Sequence, residues 1–184
     1  MIYRPLAIDQ EIKFNKKKFI VSKTDTKGKI LFVNKNLCDI SGYEEEALVG
    51  SPHNVLRHPD MPQSIFFLVW NSLLRGEHVS AVLKNLARSG EYYWVIVDFD
   101  VKKDQEGNIK SFSSFQSSAP KQVIETMEEL YETMLKIEKK HGMEGSLSYL
   151  ESFLEERGVN YDNFLDEIIK PKGFMNKFFG GMWG

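Results

Sequence analysis

The stretch HVSAVLKNLARSGEYYWVIVDFDVKKDQEGNIKSFSSFQSS (His78–Ser118) decides the fold. It contains three long runs rich in β-branched and aromatic residues, and a short glycine-containing turn, RSGE or DQEG, separates each run from the next. Long strands joined by tight turns form an antiparallel meander. The sequence therefore predicts three neighbouring antiparallel strands that end at Ser118.

Two further strands are predicted upstream, in KFIVSKTD (Lys18–Asp25) and KILFVN (Lys29–Asn34), with Gly28 in the hairpin turn between them. Apolar residues spaced by three or four predict short helices after Asn34 and a longer helix in MPQSIFFLVWNSLLRGE. This order predicts an α+β domain over residues 18–118, a five-stranded antiparallel sheet with its helices on one face.

Pro120 marks the predicted start of a C-terminal helical extension. Its first helix carries a short heptad-like seam, which leaves two packings open: a coiled coil within a homodimer, or packing on its own domain. The seam residues are Val123, Met127, Leu130, Met134 and Ile137. The predicted division is an N-terminal cap segment (1–17), the α+β domain (18–118), a signalling or linker helix (119–141), and a helical extension with an aromatic tail (142–184).

The caps expected for the two helices of the extension are Ser146 and Asn160, with Pro171 closing the second helix. The tail PKGFMNKFFGGMWG holds three phenylalanines, two methionines and a tryptophan. It is expected either to dock on a surface or to be a disordered end.

Composition excludes several classes of protein. The formal net charge is −2, which argues against a general nucleic-acid binder. The single cysteine, Cys38, excludes an intrachain disulfide. No run approaches the roughly 20 apolar residues of a transmembrane helix, so a cytoplasmic protein without a transmembrane segment is expected.

The proline-rich stretch VGSPHNVLRHPDMPQSIFFLVW (Val49–Trp70) concentrates the polar residues that chemistry could use. A zinc site at His53, His58 and Asp60 is disfavoured, because prolines interrupt their spacing and no further strong ligand lies near them in the sequence. No G-x-S-x-G turn and no glycine-rich phosphate loop of a common kind occurs. With no nucleophile and base paired, an enzyme is not expected.

The remaining interpretation is a pocket for a flat, polar-edged ring that bears phosphate. An arginine fork suits phosphate, aromatic rings offer flat surfaces, and amides can pair with the edge of a heterocycle. The candidate residues are Arg57, His58, Asp60, Phe66, Trp70, Asn34 and Asn85. The alternative for Asn34 is a helix cap, and the alternative for Asn85 is exposure to solvent.

The segment FVNKNLCDISGYEEEALVGSPHNVLRHPDMP (Phe32–Pro62), then Trp70, then GEHVSAVLKNLARSGEYYWV (Gly76–Val95) closely resembles the PAS domain of bacterial aerotaxis receptors. The resemblance covers about residues 20–118. It implies the PAS fold and an FAD molecule bound noncovalently, whose redox state changes the signalling state. By this resemblance Arg57, His58 and Asp60 belong to the FAD-binding cluster, and Asn34, Phe66, Trp70 and Asn85 to the rest of the pocket.

Aerotaxis receptors continue into a membrane anchor and a signalling domain, whereas this chain continues into helices and an aromatic tail. The chain is therefore similar to the PAS-only proteins of split energy-taxis systems, which implies a separate membrane-bound chemoreceptor-like partner and a place at the inner face of the membrane. Two alternatives keep the PAS fold. One is a haem-binding gas sensor that uses His53, His58 or His78, and the other is a ligand-free dimerisation or interaction module.

Overall fold

The computed structural model describes residues 4–15 and 17–170. Its centre is a sheet of β1 (Ile20–Thr24), β2 (Ile30–Val33), β3 (Val79–Leu86), β4 (Tyr92–Lys103) and β5 (Ile109–Ser118). The strand order is β2-β1-β5-β4-β3, and every neighbouring pair is antiparallel. The prediction of a five-stranded antiparallel sheet is confirmed.

The segment between β2 and β3 folds into helices. They are α1 (Lys35–Ser41), α2 (Glu45–Leu48), a 3₁₀ helix (His53–Leu56) and α3 (Gln63–Leu74). Asn34 begins α1 by accepting a hydrogen bond from Leu37 N–H, and Gly42, with φ of 69°, ends it. Along β3 successive side chains point to opposite faces. We call the face that carries Leu83 and Asn85 the inner face, and the face that carries Lys84 the outer face.

The helix α4 (Lys121–Glu155) packs on the outer face. The Tyr131 ring stacks on the Trp94 ring with centroids 6.3 Å apart, and its hydroxyl donates a hydrogen bond of 2.7 Å to Val82 O. The first four seam residues, at positions 123, 127, 130 and 134, are buried. Of the two packings left open for this helix, the structure has the one in which it covers its own domain.

The helical extension differs in part from its prediction. Gly142, with φ of 70° and ψ of −176°, is non-helical and joins two helical arms of α4, at the position where the first helix is predicted to end. Ser146 is fully buried inside α4, so its prediction as a cap is wrong. Asn160 does cap α5 (Tyr161–Ile169) by accepting from Asn163 N–H at 2.8 Å. The predictions for Pro171 and the aromatic tail lie outside the described residues.

The N-terminal segment extends the sheet beside the start of β4. Tyr92 N–H donates to Gln10 O, and Ile12 N–H donates to Tyr92 O. Nearby, Ile8 N–H donates to Gly90 O in the turn before β4. Among the helices of residues 4–15 and 17–170, none is long and apolar enough to cross a membrane.

Candidate ligand-binding site

A cavity of about 220 Å³ lies between the inner face of the sheet and α3. Its apolar walls come from aromatic rings on facing elements, because α3 contributes Phe66 and Trp70 while the sheet contributes Phe99 and Phe112. The rings of Trp70 and Phe112 meet edge to face, with centroids 5.6 Å apart. Such walls suit a flat, apolar ring system.

One side of the cavity is closed by the turn between β1 and β2. Gly28 has φ of 79°, and a Cβ built on it would lie 2.9 Å from Trp70 Cζ2. Only glycine allows both this conformation and this approach. The exposed lining residues Lys27, Pro52 and Asn54 mark the opening beside this turn.

Arg57 lies at the cavity edge, where a single β-bridge joins its backbone to Asn85 of β3. Its guanidinium lies 4.6 Å from the centroid of the Phe66 ring and donates to Met61 O at 2.7 Å. Arg4 donates a hydrogen bond to Arg57 O. Partial burial lowers the pKa of Arg57 without removing its charge. Within the described part of the chain no carboxylate forms an ion pair with it, so an anionic ligand group could pair with this cation.

A chain of hydrogen bonds crosses the inner face. Asn85 Nδ2 donates to Gln116 Oε1 at 3.4 Å, and Gln116 Nε2 donates to Ser114 Oγ at 3.0 Å. The hydroxyls of Ser114 and Ser22 lie 2.7 Å apart, and Ser22 Oγ lies 3.0 Å from His53 Nε2. Three strands, β3, β5 and β1, together with the 3₁₀ helix carry these groups. The cavity thus has a hydrogen-bonding surface on the sheet, beside the aromatic rings that the sheet also carries.

His53 closes this polar chain as a neutral side chain. Burial among groups that do not solvate a charge lowers its pKa from 6.5 to about 4. A neutral imidazole can accept a hydrogen bond at Nε2, here from the Ser22 hydroxyl. The donors can therefore run in one direction, from Asn85 to His53, without a charge in the chain.

Four of the seven predicted pocket residues line this cavity: Arg57, Phe66, Trp70 and Asn85. Asn34 does not, because its side chain is used in backbone hydrogen bonds. Its Oδ1 accepts from Val21 N–H and Leu37 N–H, and its Nδ2 donates to Phe19 O. Asn34 is the helix cap that was weighed as its alternative role.

His58 and Asp60 do not line this cavity either. Residues 57 and 58 run along the edge of β3, where His58 N–H donates to Lys84 O. Side chains alternate along such extended backbone, so Arg57 and His58 point to opposite sides. The predicted cluster of Arg57, His58 and Asp60 is thus divided between the two faces, and cofactor binding by its last two members stays a prediction.

On the outer face His58, Asp60 and Lys84 form a polar cluster under α4. Lys84 Nζ lies 2.8 Å from Asp60 Oδ2 and 4.2 Å from the centroid of the Tyr92 ring. The His58 ring is buried, and this burial together with the Lys84 charge lowers its pKa to about 4. Lys84 also lies 4.0 Å from Glu128 of α4. These contacts connect the loop before α3 to β3 and α4.

Sequence reasoning missed several lining residues that come from strands far apart in the chain: Ser22, Thr24, Phe112 and Ser114. The only signal was the two-residue period of β1 and β5, which sets Ser22, Thr24, Phe112 and Ser114 on one face. Which face that is depends on the pairing of β1 with β5, across about 90 residues. His53 was a candidate only in the haem alternative and had no role in the FAD interpretation, because nothing in its neighbourhood predicts that it meets β1.

Residues 30–116 match the family model described as the PAS fold. The aerotaxis receptor of Escherichia coli (strain K12) is 36% identical over 115 residues, which is 62% of this chain and 22% of that protein. The biofilm dispersion protein of Pseudomonas aeruginosa is 29% identical over 94 residues, which is 50% of this chain and 22% of that protein. The match thus spans about a fifth of the length of these two relatives.

Solved structures show the same fold. A light-oxygen-voltage domain studied with a flavin analogue superposes with a TM-score of 0.54 at 21% identity, over 62% of this chain and 86% of that one. The light-state structure of the blue-light photoreceptor domain of Aureochrome1 gives a TM-score of 0.51 at 19% identity, over 66% of this chain and 93% of that one. At such identities the likeness concerns the fold alone.

Proposed function

From the premise that residues 30–116 form a PAS domain related to that of aerotaxis receptors, we propose that the protein is a redox sensor. In this proposal it binds FAD noncovalently in the inner-face cavity. It signals by contact to a separate membrane-bound chemoreceptor-like protein, and it does not act as an enzyme.

The observation that carries the proposal is the pairing of flat apolar walls with a hydrogen-bonding surface in one cavity. Phe66 and Trp70 can contact the faces of a ring, and the side-chain amide of Asn85 can pair with its edge. Flavin supplies a ring edge whose protonation follows its redox state. The amide of Asn85, which lines the cavity, can both donate and accept, so it can hydrogen-bond to that edge before and after the change.

The size and charge of the opening fit the rest of the cofactor. The cavity of about 220 Å³ is smaller than the roughly 300–1,000 Å³ of typical ligand pockets. It is therefore expected to take the ring part of FAD, with the dinucleotide part at the opening. Lys27 and Arg57 place positive charge there, which suits phosphate.

Two of the similar proteins support the proposal. One relative is named as an aerotaxis receptor, and one similar fold was studied with a flavin analogue. Signalling by the whole receptor cannot be transferred through a match of 22% of its length.

The test is the absorption spectrum of the protein after incubation with FAD and removal of free cofactor. Flavin bands, and FAD released on denaturation at one equivalent, are the expected result. Arg57→Ala is expected to weaken FAD binding roughly tenfold or more, because a charge-assisted contact is lost. Arg88→Ala is the matched control, since Arg88 is exposed and lies outside the cavity. Full FAD retention by Arg57→Ala would contradict the assignment of this site.

A haem-binding sensor is the second candidate, and the position of His53 favours it. Of His53, His58 and His78, only His53 lines the cavity, and its neutral imidazole could ligate iron. A Soret band that His53→Ala abolishes would support haem. A protein that stays colourless with either cofactor would leave the ligand-free interaction module.

A further inference from the structure

The helix α3 contributes two aromatic residues, Phe66 and Trp70, to the cavity lining. It nevertheless begins without a side-chain cap of its own. Its N-cap residue is Pro62, which has no side-chain hydrogen bond to offer. The first N–H groups of a helix have no partner within the helix, so another group must satisfy them. In this chain that group comes from α4.

Glu138 of α4 caps α3 from outside. Its carboxylate accepts from Gln63 N–H at 2.9 Å and from Ser64 N–H at 3.3 Å, and from the Ser64 hydroxyl at 3.2 Å. A carboxylate also suits the positive end of the helix dipole. A segment 74 to 75 residues downstream thus holds the start of the cavity helix.

A second contact lies beside the first. The Ser64 hydroxyl is 2.9 Å from the Ser146 hydroxyl, and both serines are fully buried. Ser146 follows the Gly142 kink, so the kink brings both arms of α4 onto the same turn of α3. Ser146 lies inside the second arm of α4 rather than at its start, and its hydroxyl pairs with Ser64.

We infer that Glu138 is a positioning residue, and that it couples the ligand cavity to α4 through the first turn of α3. The turn that Glu138 holds is followed directly by Phe66 and then Trp70 on the cavity side. A ligand that moves these rings also moves the first turn of α3, which is hydrogen-bonded to Glu138 of α4. This link runs around the β3 edge rather than through the sheet.

The test is amide hydrogen exchange of the full chain, first without ligand, for Glu138→Ala and for Glu129→Ala. Glu129 is an exposed glutamate of the same helix, so the control removes an equal charge. Glu138→Ala is expected to speed exchange of Gln63 and Ser64 by about 5- to 30-fold relative to the control, with the amides of β4 and β5 unchanged. Exchange within about twofold of the control would overturn the inference.

The coupling is tested by adding FAD, and this step rests on the proposed function. In the unaltered protein FAD is expected to slow exchange in the first turn of α3 and in residues 139–147. In Glu138→Ala the effect on α3 should remain and the effect on residues 139–147 should be lost. A ligand effect on residues 139–147 that survives the substitution would overturn the coupling. If FAD does not bind any variant, the proposed function fails, while the ligand-free comparison still decides the cap.

If Glu138→Ala unfolds the protein, the hydrogen-exchange experiment is made with Glu138→Gln instead. Glutamine keeps one acceptor oxygen and loses the charge, so exchange of the α3 start is expected between that of the unaltered protein and that of a fully uncapped helix. Exchange equal to that of Glu129→Ala would again overturn the inference.

Discussion

The two faces of the sheet bury polar groups in different ways. The inner face joins neutral amides, hydroxyls and an imidazole into a hydrogen-bonded chain that borders a cavity. The outer face buries a charged amine, Lys84, whose partners are a carboxylate and aromatic rings under α4. Neutral groups can re-pair with a ligand at little cost, whereas a buried charge must keep its partner. The inner face is thus suited to recognition and the outer face to holding α4.

The tryptophans give the largest contrast, since Trp70 lines the cavity and Trp94 stacks under α4. Trp94→Ala is expected to lower the free energy of unfolding by about 3–5 kcal/mol and to leave FAD binding intact where the protein is folded. Trp70 is partly exposed, so Trp70→Ala should cost less, about 2 kcal/mol, and abolish stable FAD binding. Urea unfolding and FAD titration measure the two quantities, and loss of FAD in Trp94→Ala alone would break the contrast.

The histidines give the next contrast, because half-buried His53 lies at the inner-face cavity and buried His58 lies on the outer face. His53 and His58 stay neutral in the folded protein down to about pH 4, while the unfolded chain protonates below about pH 6.5. Proton binding therefore favours the unfolded state between these values. The free energy of unfolding should fall as pH falls through this window, by roughly 1.4 kcal/mol per pH unit for each histidine.

Urea unfolding at several pH values between about 4.5 and 6.5 measures how the free energy of unfolding depends on pH. His58→Gln should lower the dependence of the unfolding free energy on pH by the contribution of about one proton. Equal slopes in the unaltered protein and His58→Gln would show that His58 is protonated in the folded state.

Adjacent residues on β3 sharpen the contrast further. Lys84→Met keeps the buried stem and loses the contact to Asp60, which is 60% exposed, so a cost of about 1 kcal/mol with unchanged FAD affinity is expected. Asn85→Ala should weaken FAD binding about tenfold, because it removes the only β3 amide in the cavity wall. FAD titration and urea unfolding measure both quantities. Weaker FAD binding in Lys84→Met together with unchanged FAD binding in Asn85→Ala would contradict the division into two faces.

The smallest expected effect is at a single hydroxyl. Tyr131→Phe removes the donor to Val82 O and keeps the ring that stacks on Trp94. The cost should be about 1 kcal/mol in urea unfolding, with no change in FAD affinity. A change in FAD affinity would mean that the outer face also controls the cavity.

The fold was largely predictable because its signals are local. Glycine at 28, 90 and 107 falls in the turns between strands, and each has positive φ. Alternation within β4 and the cap at Asn34 depend on neighbours within a few residues. The packing of α4 could not be predicted from its apolar seam, because the same spacing of apolar residues fits a partner helix or a sheet.

The site was predictable only where one element carries it. Phe66 and Trp70 share one side of α3, so their joint position followed from helical spacing. His58 and Asp60 were grouped with Arg57 because they are close in sequence, but the extended backbone at the β3 edge separates them. Ser22, Ser114 and Gln116 meet through pairing of β1 with β5, and the Glu138 cap spans 74 residues or more. Contacts of that range leave no local pattern.

The central claim is that the inner face binds FAD and the outer face does not. The indole N–H signals of Trp70 and Trp94, assigned by single substitution and followed by nuclear magnetic resonance during an FAD titration, test it most directly. The expected result is that the Trp70 signal shifts or broadens to saturation at one equivalent while the Trp94 signal stays in place. A shift of Trp94 with Trp70 unmoved, or no shift of either, would contradict the claim.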